Sequence, residues 1–360
     1  MSRSRRGHRV SDIATQSGLS RATVDRVLHG RTGVREATVA QVEQAITELD
    51  RQRSQVRLSG QTFIVDLVMQ APDRFGVAVR AALEHELPAA RPASFRARFQ
   101  LSEESNAGQA AATLAAIRRR GSDGVILKAP DSPAVVAAVD DLAAAGIPVV
   151  TFVTDVAFSR RAAYVGVDNR AAGATAAYLI TQWAGPEPGG VLVTLSSSAF
   201  RGEEEREIGF RATLRELAPR LEVREVTDTD GLDSTMAEAV RDALSEAPSI
   251  NSVYSIGGGN NATLAAFRAA GHTPHAFVAH DLDGDNRALL RTRQISAVLH
   301  HDLRADMRRA CRLLLQAHGA LPGSPLNVPS QIQVITPFNE PRTLEPPGSD
   351  VDWPARTTGR

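Results

Sequence analysis

The chain has 360 residues, 42% of them hydrophobic, which is enough for two or three domains with cores of their own. No apolar run approaches the roughly 18 residues that a membrane span needs, and the first ten residues, MSRSRRGHRV, hold no apolar segment of the signal-peptide kind. Net charge is zero but uneven: residues 1–60 carry eleven Arg against six Asp and Glu, and the remainder carries thirty basic residues against thirty-five acidic ones, so a polyanionic partner is expected for the head alone.

Positions 1–9 read equally well as part of a polyanion-binding surface or as a basic tail. Residues 10–50 then read as a helical unit. In "SDIATQSGLSRATVDRVLHG" a short periodic run ends at Gly18, and Ser20 can cap a second helix that opens at Arg21. Ile13, Ala14, Leu19, Val24, Val27 and Leu28 form the expected shared core. A third run from Thr38 to Asp50 places Val39, Val42, Ala45, Ile46 and Leu49 on one face. This is helix-turn-helix spacing, in which the start of the second helix enters the major groove of DNA. Arg21, Ala22 and Arg26 are the expected base readers. Arginine can donate twice to guanine and alanine can touch a thymine methyl. Ser20, Thr23, His29 and Arg31 are expected to hold phosphates. Residues 51–60, RQRSQVRLSG, are polar, basic and end in Gly, and read as a linker.

After Gly60 short β-rich runs alternate with Ala/Leu/Arg-rich helical runs. The strand-like runs are FIVDLVMQ, RARFQL, DGVILKA, IPVVTFV, AAYVGVD, VLVTLSS, LEVREVT, SVYSIGG, HAFVAHD, ISAVLHH and a closing QIQVITPF. Such alternation predicts parallel sheets covered by helices on both faces. Eleven strands are many for one doubly wound sheet, so two lobes are expected. The tail from 341 to 360 is Pro/Gly-rich and reads as loose. Lys128 is the only lysine, and because Ala-Pro follows it, a phosphate-binding loop ending Gly-Lys-Ser/Thr is excluded. The lone cysteine, Cys311, excludes an internal disulfide and a cysteine zinc cluster and fits a reducing compartment. Asp281, Asp283 and Asp285 have calcium-loop spacing, but Asn286 and Thr292 stand where Gly and Glu are required. No metal, cofactor or catalytic nucleophile-base pair is assigned.

The head "VSDIATQSGLSRATVDRVLHGRTGVREATVAQVEQAITEL" resembles the LacI/GalR family of bacterial transcriptional repressors, matching its pattern nearly throughout residues 12–38. The resemblance implies an α/β chain: an N-terminal all-α helix-turn-helix domain (1–50), a hinge or linker (51–60), and a two-lobed doubly wound periplasmic-binding-protein-like domain (61–340). Lobe 1 is expected over 61–167 and 302–328, and lobe 2 over 168–300 and 329–340. Two departures stand out. Asp25 replaces the usual Ser and is tolerable if it pairs with Arg21 or accepts from a cytosine amine. The linker has no Pro-Asn, which leaves Leu58 as the candidate for the family's minor-groove wedge or as a plain linker residue.

By the same resemblance, ligand-facing residues stand at strand ends, in the crevice where a doubly wound sheet binds its ligands. They are Phe75; Thr154 and Asp155, since Val153 occupies the expected Asp position; Asp168 and Asn169; Arg206; Asn260; Asp281; and His301. Asp168 reads equally as a helix cap, and His301 competes with a buried structural histidine. Phe152, Phe158 and Phe200 join Phe75 as candidate stacking surfaces. The function implied is a cytoplasmic, nucleoid-associated, homodimeric regulator, a repressor of double-stranded operator DNA. Its effector is a small sugar or polyol, with phosphorylated forms still open and a tetramer as the alternative assembly. The competing class is a sugar-binding or carbohydrate-processing protein without a regulatory role.

Overall fold

The computed structural model describes residues 8–341 except 104–105, 185–188, 198, 228 and 230, and leaves out the side chains of 54, 55 and 57. The basic extension before residue 8 and the tail after 341 lie outside the described residues.

The head consists of α1 (Val10–Ser17), α2 (Arg21–Leu28) and α3 (Glu36–Leu58). Gly18 closes α1 in the left-handed conformation, φ 70°, which costs glycine nothing. The Ser20 hydroxyl accepts from the backbone of Thr23 at 3.1 Å and so caps α2. Ile13, Ala14, Val24, Val42 and Ala45 make the core, with Leu19, Val27, Ile46 and Leu49 at its edge. Leu28, expected there, is 37% exposed at the end of α2.

The expected linker is helix. No Gly or Pro interrupts the chain from Glu36 to Leu58, so α3 runs on for 23 residues, about 34 Å, before Gly60 (φ 81°) ends it. Its last residue, Leu58, is buried against Phe63, Ala93, Leu315 and Ala320 of the body. A side chain held there is not presented to a DNA groove, which corrects the reading of Leu58 as a wedge. Leu58→Ala should lower stability by about 2–4 kcal/mol, the range for emptying a buried leucine site, as read from denaturant unfolding.

The body follows as β1 (Thr62–Gln70), α4 (Asp73–Glu86), β2 (Ser94–Ser102), α5 (Ala107–Arg120), β3 (Gly124–Lys128), α6 (Pro133–Ala144), β4 (Val149–Phe152) and β5 (Ala163–Val165). It continues with α7 (Asn169–Trp183), β6 (Gly190–Thr194), α8 (Arg201–Leu217), β7 (Glu222–Val226), α9 (Asp233–Glu246), β8 (Ile250–Ser255), α10 (Asn260–Ala269), β9 (Ala276–His280), α11 (Gly284–Arg291), β10 (Ala297–His300), α12 (Leu303–Ala317) and β11 (Gln333–Ile335). One sheet has the order β2-β1-β3-β4-β5, the other β11-β10-β9-β8-β6-β7. Both are parallel except for the β10–β11 pair. Strands such as GVILK and GVLVT are buried along their whole length, as expected where helices cover both faces. The chain crosses between lobes near residues 166–168, 301–302 and 329–332, so that α12 packs on α4 in lobe 1 while β11 joins lobe 2. No described helix is long and apolar enough to cross a membrane.

Candidate functional site

The carboxyl ends of both sheets meet in a crevice of about 760 Å³, partly open to solvent. Lobe 1 contributes Gln70, Arg74, Phe75, Lys128 and Thr154, and lobe 2 contributes Ser196, Phe200, Glu203, Arg206, Asp281, Asp283 and Asn286. The lobes are in direct contact around it. Arg74 Nε donates to Asp283 Oδ2 at 2.9 Å and its Nη2 to the carbonyl of Gly231 at 3.0 Å. The Thr154 hydroxyl accepts from the backbone of Gly202 at 3.0 Å, and the Asp131 amide donates to the carbonyl of Ala199 at 3.0 Å.

Arg206 reaches the crevice because two helices approach at glycine. A Cβ on Gly173 of α7 would stand 1.9 Å from the carbonyl oxygen of Arg206, and one on Gly209 of α8 would stand 2.2 Å from that of Arg170. Arg206 is buried and its Nε donates to Asn169 Oδ1 at 2.8 Å. Asn169 thus orients the guanidinium from behind and does not itself line the crevice. Gly173→Ala should cost about 3 kcal/mol or more, at the upper end of overpacking effects because the clash is with backbone, as a melting scan would read.

Asp281 follows β9 with a left-handed backbone, φ 64°. Its Oδ1 is buried without a hydrogen-bond donor, and so is Oε1 of Gln70. Burial works against the Asp281 charge, but His301, Arg206 and His280 outweigh it and hold the carboxyl well below its ordinary range. Asp281 is therefore an ionised acceptor facing the crevice. His301 stands behind it, buried and outside the crevice lining. Asn260 is also one layer back: its amide donates to Asn286 Oδ1 at 2.5 Å, and Asn286 donates in turn to the carbonyls of His280 and Asp281.

Two expected ligand residues are engaged elsewhere. Val153 has φ 65°, and the turn there sends Thr154 into the crevice and Asp155 back toward the sheet. Asp155 accepts from Thr151 at 2.6 Å and from the Val156 amide at 2.8 Å, and pairs with Arg161. Asp168 is the exposed cap of α7, accepting from Ala171 at 3.0 Å. Of the aromatics, Phe75 and Phe200 line the crevice, Phe152 is buried in the lobe 1 core, and Phe158 is exposed beside Arg201.

Other crevice residues are not assigned to the ligand site from sequence. Arg74 carries no local signal, and Asp283 and Asn286 stand out only in a calcium-loop spacing that lacks the required Gly and Glu. Lys128 did carry one, because it is the single lysine among 41 basic residues. Its Nζ donates to the carbonyl of Gln70 at 2.7 Å and sits 4.0 Å over the Phe200 ring. Burial pushes it down to about 8, against the pull of Glu203 and Asp281. Glu203 accepts from the amide (2.8 Å) and hydroxyl (2.5 Å) of Ser196. Asp283 caps α11 and pairs with Arg74, so the calcium-loop spacing has a structural use. Among the described residues no group of three metal-ligating side chains comes together.

In the head, Arg21, Ala22 and Arg26 are exposed along α2, with Ser20 at its cap and Thr23 half-buried. Asp25 pairs with His29 at 3.1 Å and Arg31 at 3.6 Å instead of the expected Arg21, which leaves Arg21 unclaimed by that carboxylate. The acid thus sits among the two residues expected to hold phosphates.

The model for bacterial regulatory proteins of the lacI family matches residues 9–54, and that for the periplasmic binding protein domain matches residues 67–320, more than half of the chain. Among solved structures the chain is similar to GanP, a glucose-galactose binding protein from Geobacillus stearothermophilus, with 18% identity, 78% of this chain and 100% of that one covered, and a TM-score of 0.69. AraP, an arabinose binding protein from the same organism, matches at 18% identity, 78% and 97% coverage and a TM-score of 0.62. A protein from Bacteroides fragilis provisionally described as a LacI transcriptional regulator matches at 16% identity, 78% and 98% coverage and a TM-score of 0.67. At these identities the structures establish the fold. No curated protein matches the chain. Domains of both matched families are typically non-enzymatic. With a helix-turn-helix head and a two-lobed binding body each matched by its own family model, the chain belongs to the lacI family of bacterial regulatory proteins and is a DNA-binding transcriptional regulator.

Proposed function

We propose that the protein is a homodimeric repressor of a near-palindromic operator, acting in the cytoplasm, whose grip on DNA is set by a neutral sugar or polyol enclosed between the lobes. The observation that carries the effector class is the ionised Asp281 carboxylate, whose buried Oδ1 makes no hydrogen bond and has His301 Nε2 3.6 Å behind it, in the same crevice as Arg206 and Lys128. A ligand with hydroxyl groups supplies donors to Asp281 and acceptors to the two cations at once. The charges leave no surplus of cations: Arg74, Lys128 and Arg206 line the crevice with four carboxylates, Glu103, Glu203, Asp281 and Asp283. A phosphorylated sugar would add charge where none is wanted, so it should bind more weakly than the neutral sugar. The similar proteins named for glucose, galactose and arabinose binding set the first compounds to try.

Ser20, Arg21, Ala22, Thr23, Arg26, His29 and Arg31 form the DNA face, because they cluster on α2, at its cap and just after its end, where a helix-turn-helix meets the major groove. A two-fold dimer would present two such faces to two half-sites. The test is a selection from randomised duplexes with the full chain at about 0.15 M salt, repeated with each sugar. A symmetric preferred site, shifted in affinity by at least one sugar, supports the reading; a flat preference with every sugar bears against it.

A further inference from the structure

Behind the crevice one polar chain joins a ligand-facing residue to all three crossings of the hinge. Asp281 ends β9 in lobe 2 and lines the crevice. His301, 2% exposed at the second crossing, has Nε2 3.6 Å from Asp281 Oδ1, an ion pair too long for a hydrogen bond. Its Nδ1 is bonded to Oδ2 of Asp306 on α12, which packs in lobe 1. Oδ1 of Asp306 accepts from the Ser330 hydroxyl at 2.5 Å, and the Ser330 amide donates to the carbonyl of Gly166 at 2.8 Å. The first, second and third crossings are thereby tied to one imidazole.

We propose that His301 is a positioning residue: as an imidazolium between Asp281 and Asp306 it holds the crevice carboxylate ready to accept effector hydroxyls and couples that carboxylate to the hinge. This rests on the reading that a hydroxylated effector binds at Asp281. A neutral imidazole has one N–H and one lone pair, so one of its two carboxylate neighbours would face a lone pair; the protonated ring presents a donor to each. Burial opposes the charge, but the two carboxylates outweigh it and push His301 up to about 9.

The two neighbouring histidines offer no rival proton carrier. His280 on β9 is bonded to the Tyr254 hydroxyl at 2.8 Å, and burial holds it well below its ordinary value. His300 on β10 accepts from the Leu282 amide, and burial brings it down to about 4. Arg206 of α8 acts on Asp281 and lines the same small cavity as His301, and Asp302 is engaged in capping α12. Val167, Ala172, Leu299 and Ile332 close the remaining sides without charge, and the Phe152 ring lies 6.0 Å away. Because the folded-state value is raised above the ordinary 6.5, the contribution to folding stability is complete below about pH 6.5 and is lost as pH rises through about 9, while the ring itself stays mostly protonated up to about pH 8.

The experiment titrates the full chain and its His301→Gln variant with D-glucose, D-galactose, L-arabinose and D-fructose by calorimetry from pH 6 to 10. Ring-nitrogen NMR shifts of His301, assigned by difference from the variant, are followed in the absence of sugar. Expected are two protonated ring nitrogens at pH 7 with a titration midpoint near 9 that falls in Asp281→Asn. The ratio of variant to wild-type Kd should be about ten up to pH 8 and approach one above pH 9, as the wild type loses the same proton. Titration of Lys128 near 8 affects both proteins and cancels in the ratio. A merely structural role would lower the melting temperature and leave that ratio flat. A neutral His301 at pH 7, or a ratio independent of pH, overturns the proposal while leaving the crevice reading intact. If none of the sugars binds the wild type at any pH, the crevice reading falls and the proposal falls with it.

Discussion

Asp281→Asn is expected to raise the Kd for the effector sugar about a hundredfold. The carboxylate is buried, ionised and without a hydrogen-bond donor at Oδ1. A hydrogen bond to a charged group contributes roughly 1.5–3 kcal/mol, and each 1.4 kcal/mol is a factor of ten. Asparagine keeps the shape but removes the charge, and it presents either a weaker acceptor or a misplaced donor to the sugar. It also leaves His301 with Asp306 as its one carboxylate partner. Calorimetry with any sugar that binds the wild type checks this. A Kd within threefold of wild type would remove Asp281 from the site.

Arg26→Ala should cost the selected operator about 1–3 kcal/mol per half-site, the discrimination that a bidentate arginine supplies to guanine, while binding to random duplex falls only slightly. Arg26 is exposed on α2, and its Nη2 makes only a long, weak contact of 3.5 Å to the Thr32 carbonyl. Arg31→Ala makes the contrast. Arg31, paired with Asp25, lies just past the end of α2, and on the proposed docking it meets a phosphate and not a base, so both kinds of duplex should weaken alike and the salt dependence should become shallower. Anisotropy titrations over a range of salt separate the two outcomes. Equal losses on specific and random duplex for Arg26→Ala would place it on the backbone.

Each of the eleven β-rich runs contains or overlaps a strand among the described residues; the central strands were legible because burial on both faces makes them apolar along their length, and the charged edge strands β2 and β7 by their alternating residues. The extension of α3 was not. Residues 51–58 are polar and charged, which reads as linker, yet Arg, Gln, Ser and Val tolerate helix and no breaker intervenes. Its apolar purpose rests on Leu58 alone, whose partners Ala93 and Leu315 are distant in sequence.

In the crevice, Phe75, Thr154, Arg206 and Asp281 could be placed through the family resemblance, which sets its ligand residues around converging strand ends. Asp155 and Asp168 could not, because at a strand end one residue decides the direction, and the left-handed Val153 reverses the expected order. Arg74 and Asp283 meet across 209 residues, a pairing that no local pattern encodes. Lys128 could have been found from its solitude: in a chain that otherwise uses arginine, one retained lysine marks a position where a compact ammonium is wanted.

The most direct measurement is the affinity of the full chain for its selected operator, at fixed salt, with and without a sugar that calorimetry shows to bind, in wild type and Asp281→Asn. Coupling between two such sites typically spans about 5–150-fold. A shift of at least fivefold in wild type that disappears in Asp281→Asn is the predicted result. A bound sugar that leaves operator affinity unchanged, or a shift of equal size in both proteins, would contradict control of the head by the crevice.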